Sequence, residues 1–232
     1  TASLRGGVRV WDAKTGQALL ALDGHNERVE SISFSKGGAR IATASLAGNV
    51  RVWDANTGQA LLTRAGHKDL ATPVTFSPDG ARIATASRKG HIRVWDVKTG
   101  RALLTHKSGM GMICPVVFSP DGTRIATVSL EGPVREWDTK NGRALLKLEG
   151  HKEVVRAIVY SPDGSCIYTA SFDGIIRVWD AISGVALLTL EGHKDRVDSI
   201  SFSKNGAHIV SASADKTVRV WDAKTGLSLL TL

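Results

Sequence analysis

The sequence predicts an all-β repeat protein, built from small four-stranded antiparallel sheets stacked in tandem. Three observations carry this. Tryptophans stand at positions 11, 53, 95, 137, 179 and 221, every gap is 42 residues, and each is followed by an aspartate. A fixed period of that length marks one supersecondary unit copied along the chain. Within each copy, β-rich runs alternate with Gly- and Pro-containing turns at intervals too short for ten-residue helices. Finally, Val178 and Trp179 are adjacent and both apolar. Neighbouring strand residues point to opposite sides of the pleat, so both faces of the sheet need cover, which face-to-face stacking supplies.

The copy from Gly150 to Leu190 is the most complete and is read in order. After Gly150-His151, the run 154–160 is rich in β-branched residues and forms a first strand. Ser161-Pro162-Asp163-Gly164 follows, with Pro at the second and Gly at the fourth place of a type I turn. The run 166–171 is the second strand, and Phe172-Asp173-Gly174 turns it. The run 175–180, ending on Trp179-Asp180, is the third strand. Ser183-Gly184 turns once more into a fourth, 185–190. Arg177 lies on the Trp179 side of the pleat, so its stem packs while its guanidinium reaches the rim or an acidic partner.

Gly-His near the start, Ser-Pro-Asp-Gly in the middle and Trp-Asp near the end of the copies resemble the WD-repeat β-propeller family over the whole chain. The resemblance implies a β-propeller with a partial blade at 1–22 and complete blades at 25–64, 67–106, 109–148, 151–190 and 193–232. Thr1-Ala2-Ser3-Leu4 aligns with Thr43-Ala44-Ser45-Leu46 at the end of a second strand. The expectation is therefore five complete blades plus part of a sixth, from a longer array. The resemblance further implies a hydrogen-bonded structural tetrad of His151, Ser171, Asp173 and Trp179, and a second of His193, Ser213, Asp215 and Trp221. Asp orients His, His bonds Ser, and Ser bonds the indole N–H. In other copies the Asp position holds Ala47, Lys89 or Glu131, and one His position holds Gly109.

Composition and motifs narrow the function. No run approaches the roughly 18 apolar residues of a membrane helix. Cys114 and Cys166 fall at different repeat positions, which suggests no disulfide framework and an intracellular, cytoplasmic setting. The net charge of +8 raises nucleic acid as a partner, but its arginines recur two residues before each Trp, as rings rather than a stripe. Nucleic-acid binding is therefore not expected. Ser, His and Asp together invite a hydrolase, yet a mid-strand Ser against Trp is no exposed nucleophile. His25, His67, His151 and His193 sit one per copy, without zinc-site spacing. No Walker loop or His-Glu-x-x-His occurs. The reading is no enzyme, no metal, no cofactor and no small-molecule substrate.

Specificity must lie in departures from the repeat. The resemblance places partner docking on the face with the loop before the first strand and the turn after the second. At those positions stand Leu70, Arg88, Met112, Cys114, Leu130, Val154, Arg156, Phe172 and Arg196. The apolar members gather on the second to fourth complete blades, rimmed by charge, as in a protein-docking surface. The third complete blade diverges most, with Pro115 in its first strand and Pro133 in its third, which implies an edge or a bulge. The expected function is a non-catalytic scaffold that binds a protein or peptide. The alternative is a sensor or regulatory module of a larger signalling protein, such as a nucleotide-switch ATPase or a kinase.

Overall fold

The computed structural model describes residues 1, 6–67, 71–108, 111, 113–129 and 132–232, with the side chains of 71, 72, 114 and 132 left aside. Among these residues there are strands and turns and no helix, hence no helix long and apolar enough to cross a membrane. A two-stranded sheet of β1 (Val8–Trp11) and β2 (Ala18–Leu22) comes first. Five four-stranded antiparallel sheets follow, each a simple meander. They run β3 (Val29–Phe34) to β6 (Ala60–Ala65), then β7 (Ala71–Phe76), β8 (Arg82–Ser87), β9 (His91–Asp96) and β10 (Ala102–Lys107). Next are β11 (Ile113–Phe118), β12 (Arg124–Ser129), β13 (Gly132–Asp138) and β14 (Ala144–Leu148). β15 (Val155–Tyr160), β16 (Cys166–Ser171), β17 (Ile176–Asp180) and β18 (Ala186–Leu190) form the fourth, and β19 (Val197–Phe202), β20 (His208–Ser213), β21 (Val218–Asp222) and β22 (Ser228–Thr231) the fifth.

The turn chemistry explains why strands stop where they do. The aspartate after the Trp is the last residue of the third strand, and its side chain accepts from the turn that follows. Asp180 Oδ1 takes the N–H and hydroxyl of Ser183 at 2.7 and 2.8 Å, and Asp54 does the same with Thr57. These Asx-type bonds satisfy turn amides that no strand can reach. They hold the Asp180 carboxyl below its ordinary pKa, through the Ser183 N–H first. At the other end, Gly164 closes the Ser-Pro-Asp-Gly turn at φ +75°, a conformation that favours glycine. A bulge recurs at the Val–Trp step, where Trp179 pairs with Ala186 while Val178 pairs with Leu188.

The chain forms two compact units, Thr1–Val116 with Thr139–Gly142, and Val117–Asp138 with Arg143–Leu232. In the first unit, Val50, Val52 and Leu62 of one sheet meet Val74, Phe76, Ile83 and Trp95 of the next. In the second, Tyr168, Ile176, Val178 and Leu190 meet Val197, Ile200, Ile209 and Trp221. Both faces of a sheet are thus used, as the adjacent Val–Trp pairs require. Each fully buried large side chain contributes about 1.5–3 kcal/mol relative to exposure. In four copies the arginine two residues before the Trp covers the indole face, with Arg51, Arg93, Arg135 and Arg219 standing 5.5–5.9 Å from the ring. Arg177 also lies 3.8 Å from Asp173. Pro115 falls on β11, an edge strand, and Pro133 lies beside an irregularity between Thr127 and Ser129.

Candidate functional site

The polar network of each copy is built from one repeated contact. Every tryptophan indole N–H donates to a hydroxyl ten residues earlier: Thr1, Thr43, Thr85, Thr127, Thr169 or Ser211, at 2.8–2.9 Å. The hydroxyl of the tetrads is therefore Thr169, not Ser171, and Ser211, not Ser213. The reason is register. Trp179 stands opposite Ile167, so the same-face neighbour one diagonal step away is Thr169. Ser171 lies four residues from Ile167, about 13 Å along the strand at ~3.3 Å per residue. Ser171 and Ser213 instead brace the turns. Each donates to a backbone carbonyl, of Glu153 and Asp195, and accepts the N–H of Asp173 or Asp215.

The histidines complete the chain of bonds. His151 Nε2 lies 2.7 Å from the Thr169 hydroxyl, and its Nδ1 lies 3.1 Å from Asp173. His193 makes the same pair with Ser211 at 2.7 Å and Asp215 at 2.8 Å. With Nδ1–H given to the carboxylate, Nε2 accepts the hydroxyl proton, and that oxygen accepts the indole N–H. Burial pushes the Asp215 carboxyl up, but donation from Thr217, from the Lys194 N–H and from His193 outweighs it and holds the group low. Burial holds His151 below its ordinary pKa, partly offset by Asp173. Thr169 is fully buried, which removes it from any substrate. The arrangement stores hydrogen bonds rather than a reactive group. Among the described residues no cluster of three His, Cys, Asp or Glu stands ready for a metal ion.

Where the Asp is missing, the histidine is exposed to its burial. His25 bonds Thr43 at 2.7 Å, but Ala47 stands at the carboxylate position, and burial followed by the Arg51 charge lowers its pKa from 6.5 to about 4. A lowered folded-state pKa contributes stability that is present above 6.5 and lost as pH falls through about 4. Ala47→Asp is expected to raise the His25 pKa toward 6.5, to shrink that acid loss, and to add about 1 kcal/mol at neutral pH. An NMR titration of the His25 ring measures it. An unmoved pKa would mean the new carboxylate does not reach Nδ1.

Of the expected docking residues, Leu70, Met112 and Leu130 lie outside the described residues, as does the Cys114 side chain. Arg88 is exposed in the turn between β8 and β9. The remainder come together in the second unit. The Phe172 N–H donates to the Val154 carbonyl at 2.9 Å, which seats the turn beside β15. The Phe172 side chain stays 40% exposed, and the Arg196 guanidinium lies over its ring at 5.5 Å. Asp198 holds that guanidinium at 3.2 Å, and Arg156 is exposed on β15. Val154 is half-buried.

One cluster was not singled out by the repeat motifs. Glu136 occupies the position held elsewhere by Val52, Val94, Val178 and Val220, and is 1% exposed. Its carboxylate accepts from Tyr160 Oη at 2.6 Å and from Arg124 Nη1 at 3.3 Å. Tyr160 itself replaces a repeated Phe (Phe76, Phe118, Phe202). Burial pushes the Glu136 carboxyl up, against the pull of Tyr160 and Arg124. The signal was available, since both residues break the repeat, but nothing along the chain marks them as partners.

Stacked four-stranded blades, locked by an indole, a hydroxyl and a histidine, define a β-propeller repeat protein. The chain belongs to the WD-repeat family: the model described as "WD domain, G-beta repeat" matches residues 16–54, 58–96, 142–180 and 184–222, more than half of the sequence. The long stretch it leaves unmatched between residues 96 and 142 contains Gly109, Pro115, Pro133 and Glu136. WD40 repeats generally mediate protein–protein interaction, and the family is generally non-catalytic. Among solved structures, a crystal structure of the computationally designed Ika8 protein is similar, with a TM-score of 0.86 and 29% identity, over 100% of this chain and 70% of that one. No curated protein matches the sequence significantly.

Proposed function

We propose that the chain is a non-catalytic scaffold that docks a protein or peptide at the strand ends bearing Phe172. The observation that carries this is an aromatic ring left 40% exposed beneath an arginine, beside Val154 and the exposed Arg156. Aromatic residues and arginine are both enriched in protein–protein interfaces, and arginine also in their hot spots. The ring serves as the anchor, and the guanidinium stacked on it supplies a planar, charged contact.

Affinity capture with the wild type and with Phe172→Asp, followed by mass spectrometry, tests the reading. The expected outcome is a set of captured proteins lost in the variant, with an unchanged circular dichroism spectrum. Loss of such an anchor costs ≥ ~2 kcal/mol, or roughly 30-fold in affinity. An identical captured set at equal yield would overturn the docking site.

A further inference from the structure

A groove at the opposite strand ends has lost the side chain that fills it elsewhere. In three copies the first residue of the second strand is an arginine that crosses to the following sheet. Arg40 Nη1 donates to the Gly80 carbonyl at 3.4 Å, Arg82 Nη1 to the Thr139 hydroxyl at 3.3 Å, and Arg124 Nη1 to the Ala181 carbonyl at 2.5 Å. Arg82 also lies 4.0 Å from Asp79 in the preceding turn, and the charge of Arg124 acts on Asp121. In the fourth complete copy that position is Cys166.

The consequence is a cavity of about 580 Å³, lined by Cys166, Asp163, Tyr168, Phe202, Gly206 and Lys224 among others. Gly206 is the repeat equivalent of Gly80, and Ala223, also in the wall, is that of Ala181. The oxygens that receive an arginine at other junctions thus border this cavity without one. Tyr168, where other copies have Ala42, Ala84 and Ala126, donates to the Ala223 carbonyl at 2.9 Å and packs edge-on against Phe202. A carbonyl oxygen has a second lone pair to offer. Among the described residues Asp163 pairs with no cation, and it accepts from the Ser161 hydroxyl and from the hydroxyl and N–H of Ser165. Lys224 is no obstacle of a new kind, because Lys98 and Lys140 hold its position at junctions that accommodate Arg40 and Arg82.

We infer that this groove receives an arginine side chain from a peptide partner, which takes the place of the arginine replaced by Cys166. The guanidinium donates to Asp163 and to the Gly206 and Ala223 carbonyls while its plane lies against Tyr168 and Phe202. A planar fork of five donors suits that set, and a lysine ammonium does not. The size is that of a small-ligand pocket. The site lies at the strand ends away from Phe172 and is independent of docking there.

The test is an NMR titration of the full chain with acetyl-Gly-Arg-Gly-amide and its Lys analogue, following the Gly206 and Phe202 amides. Site-resolved alkylation of Cys166 with and without peptide gives a second readout. The Arg peptide is expected to shift both amides and slow Cys166 alkylation at least threefold, with the Lys analogue at least tenfold weaker. Asp163→Asn is expected to weaken binding about tenfold. Cys166→Arg is expected to abolish it while raising the melting temperature, because the chain then fills its own groove. Phe172→Asp leaves it unchanged. Equal binding of the Lys analogue, absence of binding and protection, or undiminished binding by Cys166→Arg or Asp163→Asn would each overturn the assignment. If Cys166→Arg does not fold, Asp163→Asn and the Lys analogue still decide.

Discussion

Thr169→Val is expected to lower stability by about 3 kcal/mol, whereas Ser171→Ala costs about 1 kcal/mol. The Val side chain keeps the shape of Thr and removes only the hydroxyl. That oxygen receives the Trp179 N–H at 2.8 Å and faces His151 Nε2 at 2.7 Å, in a site closed to water. Its loss strands two buried polar groups, each at about 1–3 kcal/mol. Ser171 spans a turn carbonyl and a turn N–H, and its loss strands less. Urea denaturation followed by tryptophan fluorescence separates the two variants. Equal losses would mean that the network does not centre on Thr169.

The second large effect is non-additive. Glu136→Val leaves the Tyr160 hydroxyl buried without its acceptor, and Tyr160→Phe leaves a buried carboxylate short of a donor. Each single change is expected to cost about 2 kcal/mol. The double variant Glu136→Val with Tyr160→Phe recreates the Val and Phe found at the same positions in other copies. It is expected to regain wild-type stability within about 0.5 kcal/mol, a coupling of roughly 3–4 kcal/mol. Arg124 keeps the Ala181 carbonyl, much as Arg40 is held by Gly80 with Val52 nearby in the repeat. The pH dependence has a definite sign. Because burial raises the folded-state pKa of Glu136 above its ordinary 4.5, its contribution is present below 4.5 and is lost as pH rises through the raised value. The double variant therefore gains on the wild type as pH increases from 4.5. Additive single effects, or a gap that narrows with pH, would sink the account.

Both expected outcomes rest on contacts set by strand register and sheet packing. The blades were legible because their signals are local: Ser161-Pro162-Asp163-Gly164 ends one strand, and Trp179-Asp180 ends another. The members of each tetrad were legible except one. Thr169 and Ser171 share a face of β16 and both carry a hydroxyl, so residue type and spacing along the strand do not separate them. The pairing of Ile167 with Trp179 does. On the docking face, Phe172 was visible as a departure from the repeat, but the arginine laid over it comes from 24 residues further on, just before the first strand of the next sheet.

By itself, then, the sequence determined the repeat, the strands and the need to bury both sheet faces, because turn chemistry and the two-residue pleat act between near neighbours. The tertiary structure alone decided which hydroxyl takes the indole proton, that Glu136 meets Tyr160, and that replacing an arginine by Cys166 opens a groove rather than closing over it. All three depend on cross-strand register or on contact between successive sheets. Such contacts join residues distant along the chain, and only the packed blades bring them within hydrogen-bonding distance.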